Sequence, residues 1–153
     1  MARFVFADDG IDFDGHSIDK GPLGGVESSL INLTKELAKL GHEVLVRNHC
    51  QSAQIIDGVN WAPLSHDMPS EADVFVANRG DQLITLMPNA GQTIFWTHNP
   101  AKYLLKRRYL YKIWRYQPII VFIGDYHAST YPMWAPGRRR KTIPYGISAE
   151  FMN

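Results

Sequence analysis

Five short apolar runs constrain what this chain can fold into: RFVFA (Arg3–Ala7), VLV (Val44–Val46), DVFVAN (Asp73–Asn78), TIFWT (Thr93–Thr97) and IIVFI (Ile119–Ile123). Runs this short and this apolar read as strands buried on both sides of the pleat. Strands of that kind belong to parallel sheets, whose neighbours must be joined by crossovers that are usually helical. The intervening segments supply them. Val26, Leu30, Leu33, Leu37 and Leu40 recur at helical spacing and predict a helix over Val26–Leu40 with one apolar face, stopped by Gly41. Further helices are expected over Gln82–Met87, Ala101 to about Tyr116, and Tyr126–Met133, and weaker strands at Val59–Ala62 and Lys141–Ile143. The stretch Asn48–Met68 has little periodicity, and the chain carries no internal repeat. The expected class is α/β: a Rossmann-like, doubly wound, mostly parallel sheet with helices on both faces.

At 153 residues and 45% hydrophobic content, the chain is about one domain with a full core. Cys50 has no partner for a disulfide and reads as a buried, inert thiol in a reducing compartment. The apolar run at the N-terminus is too short for a signal peptide, and no stretch approaches the roughly 20 apolar residues that span a bilayer. The net charge of +1 hides a division. Residues 1–101 hold 6 Lys/Arg against 13 Asp/Glu, while residues 102–141 hold 10 Lys/Arg against the single acid Asp125. Such asymmetry points to an anionic partner for one face or, equally, to a solvated basic helix and loop.

In sheets of this class, ligands bind outside the carboxyl ends of the strands. Function is therefore sought in Asp8–Gly25, Asn78–Asp81, Thr97–Pro100 and Gly124–His127. Gly24 and Gly25 open the first long helix, where unpaired N–H groups and the helix dipole favour an anion. The same glycines also suit a purely structural turn. No Gly-Lys-Ser/Thr follows, which excludes a P-loop. A dinucleotide fingerprint fails as well, because a long segment separates the first strand from the glycines and the second strand ends in Arg47. Glu27 reads as a first-turn acid complementing the helix dipole, and Asp125 as an N-cap. His16, His49, His66 and His127 lack ligand spacing, so no metal is expected. From the residues alone, His98 reads as a structural histidine.

In KYLLKRRYLYKIWRY (Lys102–Tyr116), Arg108, Lys112 and Arg115 fall on one helical face, next to an apolar arc of Leu105, Tyr109, Ile113 and Tyr116. With Lys102 and the later RRRK (Arg138, Arg139, Arg140 and Lys141), they form an expected surface for an anionic acceptor or membrane. No nucleic-acid-binding module is recognisable.

GPLGGVESSLINLTKELAKLGHEVLV (Gly21–Val46) resembles the first loop, helix and second strand of family 4 glycosyltransferases, nucleotide-sugar-dependent enzymes of the GT-B fold. Gly24, Gly25, Val26 and Glu27, then Gly41, His42, Glu43 and Val44, match that family's pattern at its usual separation. Thr97-His98 ends a strand where the family often places a histidine. KTIPYGIS (Lys141–Ser148) resembles its Ile-Pro-Asn-Gly segment, with Tyr145 in place of Asn. The resemblance implies the acceptor-binding, N-terminal half of a retaining, metal-independent enzyme, with residues 1–153 as that half and 144–153 opening the linker to a C-terminal domain. It implies no cofactor beyond the nucleotide-sugar donor, and a saccharide or lipid-linked acceptor. The Gly24 and Gly25 N–H groups would face the donor diphosphate, and His98 would sit at the catalytic centre near the transferred sugar or the acceptor hydroxyl. The family's paired glutamates at seven-residue spacing are missing, so the isolated chain is expected to be inactive. The expected location is cytoplasmic, with a peripheral contact on the inner face of the membrane. The alternative is a non-catalytic module that binds an anionic glycan, lipid or membrane surface.

Overall fold

The computed structural model describes residues 1–146. The expected C-terminal linker falls largely outside them. The elements run in the order β1 (Arg3–Asp8), α1 (Ser17–Lys20), α2 (Gly25–Lys39), β2 (Glu43–Asn48), β3 (Gln54–Ile56), β4 (Val59–Pro63), β5 (Val74–Asn78), β6 (Gln92–Trp96), α3 (Arg107–Tyr116), β7 (Ile119–Phe122), α4 (Asp125–Ser129) and β8 (Arg140–Thr142). Tight 3-10 turns occupy Gln82–Thr85 and Ala101–Leu105.

Among the described residues, one eight-stranded sheet has the order β3-β4-β2-β1-β5-β6-β7-β8, and only β3 runs antiparallel to its neighbour. The apolar runs are its central strands, as expected of a Rossmann-like α/β protein. Side chains alternate across the sheet. Val5, Ala7, Phe75, Ala77, Phe95, Ile120 and Phe122 pack with Leu104, Tyr109 and Ile113 on one face. Phe6, Val44, Val46, Val76, Trp96 and Val121 pack with Leu30 and Ile31 of α2 on the other. Strand order reverses at β1, which places the first strand beside β5 at the centre of the carboxyl edge.

Several local expectations are corrected. The inner face of α2 is Glu27, Leu30, Ile31 and Thr34, whereas Leu33 and Leu40 are exposed. The leucine spacing misplaced that face because two of its members are polar. Thr34 is satisfied within its own helix, its hydroxyl donating to Leu30 O at 2.8 Å and Ile31 O at 3.0 Å. Glu27 finds its partner across the sheet edge. The expected helix from Ala101 is interrupted at Lys106, which is extended at φ −66° and ψ 140°. The Gln82–Met87 helix is only a 3-10 turn, and the helix after β7 ends at Ser129. The short elements α1 and β3 fall in stretches read as irregular. Gly41 does take the left-handed conformation, φ +89°, that ends α2.

Candidate functional site

Register brings the carboxyl edge into one row: Asp8 of β1 pairs with Asn78 of β5, and Asn78 with Trp96 of β6. The pleat points Asp8, Asn78 and Trp96 to the same side as Phe6 and Val76, the side covered by α2. His98 lies two residues beyond Trp96, and Glu27 descends from the first turn of α2. Residues 70 positions apart thus converge on one polar cluster.

At its centre is Arg79, whose backbone is left-handed at φ +62°, an uncommon state for a residue with a side chain. Its amide is held by Trp96 O at 2.9 Å. The guanidinium grips the fully buried Asp8 through Nε at 3.1 Å to Oδ2 and Nη2 at 3.0 Å to Oδ1. Its Nη1 reaches Glu27 Oε1 at 2.9 Å. Glu27 therefore does more than complement the helix dipole: it is one of two buried carboxylates sharing a single cation. Burial works against the charge of Arg79, but Asp8 and Glu27 together outweigh it and raise its pKa. Gly10 and Gly80 make room for the cluster. A Cβ on Gly10 would overlap the Arg79 guanidinium, and one on Gly80 the Asp9 carboxylate. Burial and the Asp8 charge raise the pKa of Asp9.

From Asp8 a hydrogen-bonded relay runs outward. Asn78 Nδ2 donates to Asp8 Oδ2 at 2.5 Å, and Asn78 Oδ1 lies 2.6 Å from His98 Nε2. A carboxylate only accepts, so the Asn78 amide nitrogen must face Asp8 and its oxygen must face His98. His98 Nε2 therefore carries the proton, and Nδ1 is left as an acceptor. Nδ1 receives the Tyr145 hydroxyl at 2.5 Å, with the two rings nearly parallel at 8°. Burial, then the positive charge of Arg79, pushes His98 down to about 4, so the ring is neutral at physiological pH. With His98 neutral, the Asp8, Glu27 and Arg79 set carries one net negative charge. Beside it, the indole N–H of Trp96 is buried with no partner among the described residues.

The other expected site residues divide. Gly24 and Gly25 are exposed at the N-terminus of α2, where the N-cap residue Gly24 offers no side-chain capping bond. An anion there would meet backbone N–H groups, with the Glu27 carboxylate directly beneath Gly24 and paired in turn with Arg79 Nη1 at 2.9 Å. The expected basic face is broken up. Lys112 Nζ bonds the buried Asp81, and Arg108 Nε lies 3.5 Å from the same carboxylate. Arg140 is spent on backbone carbonyls, with Nε 2.7 Å from Gly137 O and Nη2 2.8 Å from Ala135 O, and its guanidinium lies over Tyr131. Arg139 donates to Gln117 O at 3.2 Å but stays exposed, as do Lys102, Arg115 and Arg138. Asp125 is the first residue of α4 and does not cap it. His127 is a structural histidine, its Nε2 2.6 Å from Asn99 O. Cys50 is buried, its pKa raised chiefly by that burial.

Among the described residues, no group of three His, Cys, Asp or Glu could hold a metal ion, and no helix is long and apolar enough to cross a membrane. Comparison with models of known families, with characterised proteins and with solved structures gives no match.

Proposed function

We propose that this chain is the acceptor-side half of a retaining glycosyltransferase that takes a nucleotide-sugar as donor and a saccharide or lipid-linked acceptor. The observation that carries this reading is the neutral His98, whose Nδ1 accepts from a hydroxyl at the rim of the carboxyl edge. That position suits an alcohol: an acceptor hydroxyl replaces the phenol of Tyr145 and donates to the same lone pair. The cluster behind it alternates donors and acceptors from Glu27 through Arg79, Asp8 and Asn78. Such a chain fixes the ring's tautomer and orientation without a charge change. Its net negative charge favours a polyol over an anion at His98.

The donor diphosphate is assigned to the N–H groups of Gly24 and Gly25, fixed dipoles that stabilise leaving-group charge, while Arg79 offsets the Glu27 carboxylate beneath them. This role calls for no metal ion and no cofactor besides the donor. The remaining donor contacts are assigned to a second domain of the enzyme, so this polypeptide alone turns over no substrate.

Thermal-shift screening against oligosaccharides and nucleotide-sugars tests the reading. A saccharide should raise the melting temperature of the native chain and fail to raise that of His98→Ala. If no saccharide or nucleotide-sugar stabilises the chain, the reading fails. Sugar transfer by this polypeptide alone would contradict its assignment as one half.

A further inference from the structure

Away from the carboxyl edge, α3 carries two apolar faces where a helix packed on a sheet needs one. Tyr109 and Ile113 fill the core. At about 100° per residue, Arg107, Tyr111, Trp114 and Arg115 fall within about 100° of arc on the opposite, outward side. Tyr111 is 60% and Trp114 62% exposed. Across a groove of about 800 Å³ stands the turn after α4, where Met133 is 91% and Trp134 73% exposed. Four large apolar side chains from two elements thus stand in water together, which is unusual unless the surface has an occupant.

Cations frame them. Arg107 and Arg115 flank the rings on α3, and Arg138 lines the groove. Among the described residues, no ion pair engages any of the three, in contrast to Arg108 and Lys112. The usable basic surface is therefore not the Arg108–Lys112 face that helical spacing suggests, but the neighbouring one that carries the aromatics.

We infer that the α3 and Met133–Arg138 surface docks on an anionic lipid bilayer, with Trp114, Trp134 and Met133 entering the headgroup region and Arg107, Arg115 and Arg138 pairing with lipid phosphates. Trp and Tyr favour that interface because their rings are apolar and their N–H or O–H groups remain wetted. Arginines beside them gain from the negative surface potential. A second copy fits poorly. A two-fold contact would set the same arginines of both molecules against one another. A soluble polyanion would use the arginines but leave Met133 without a partner.

The test uses the full chain and vesicles of either pure phosphatidylcholine or phosphatidylcholine mixed with phosphatidylglycerol. The chain should float with the mixed vesicles at low salt, lose binding as salt rises, and ignore the neutral ones. Bromine-labelled lipid should quench its fluorescence, because Trp114 and Trp134 are exposed whereas Trp61 and Trp96 are buried. Arg107→Glu/Arg115→Glu/Arg138→Glu should lower partitioning at least about 100-fold, from about fivefold per arginine. Met133→Ser/Trp134→Ser should lower it about tenfold with an unchanged melting temperature. The inference is overturned by no flotation at low salt, by equal binding to neutral vesicles, or by binding that neither variant weakens. A dimer abolished by Trp114→Ser, or binding to soluble polyanions without vesicles, would also overturn it.

Discussion

Replacing Arg79 by Met removes the one cation between two buried carboxylates. Asp8 is fully buried, and the side chain of Glu27 is only 7% exposed, so neither can turn to water. Breaking one side of a buried pair costs about 3–5 kcal/mol, because the remaining charge is left uncompensated. Asp8 keeps two other donors, Asn78 Nδ2 at 2.5 Å and the Gly10 amide at 2.8 Å, which places the cost near the lower end, about 3 kcal/mol. With a urea slope of about 1–3 kcal/mol/M, the midpoint of unfolding should fall by about 1–3 M. The loss should not add to that of Asp8→Asn, because both substitutions break the same contact. Equilibrium urea unfolding of the two single variants and the double variant supplies the full cycle. A loss below about 1 kcal/mol for Arg79→Met, the range of exposed pairs, would refute the placement of Arg79 as the cluster's keystone.

Other substitutions probe the same edge and its supports. His98 titrates at about 4 in the fold against 6.5 in a free chain. The unfolded state therefore takes up its proton first, and stability, complete above pH 6.5, should fall by up to about 3 kcal/mol as pH drops towards 4. His98→Gln should remove that slope in urea titrations across the window. Gly10→Ala should cost about 1–2 kcal/mol by pressing on the guanidinium, and much less in the Arg79→Met background, where that group is gone. Lys112→Met should cost about 1–2 kcal/mol because Asp81 is buried, whereas Arg108→Met, whose side chain is 60% exposed, should cost no more than about 0.5 kcal/mol.

The sheet was legible because an apolar run has few uses other than a buried strand, and the five runs became five neighbouring parallel strands. The same reasoning failed on α2. A helix that buries Glu27 and Thr34 shows leucines pointing elsewhere, and nothing local announces that a carboxylate has a partner 52 positions away. The break at Lys106 was hidden because Leu104, Leu105 and Tyr109 keep an apolar pattern through it. Gly24, Gly25 and His98 could be singled out at strand and helix ends, the last only through a family resemblance. Asp8 and Asn78 were within reach of period-two counting, since each continues the α2-facing side of its strand. Arg79 lay inside the strand-end segment Asn78–Asp81, but nothing in the sequence marked it as the centre of the cluster. Its role depends on register across three strands and on a left-handed backbone that its sequence does not favour.

The central claim is that His98 Nδ1 is a hydroxyl-accepting position at a saccharide site. The most direct measurement is nitrogen NMR of the His98 ring during titration with acceptor saccharides. The expected result is a ring protonated at Nε2 throughout, with the Nδ1 resonance shifting saturably as sugar displaces Tyr145. A ring protonated at Nδ1, or an Nδ1 signal that no saccharide moves, would contradict it.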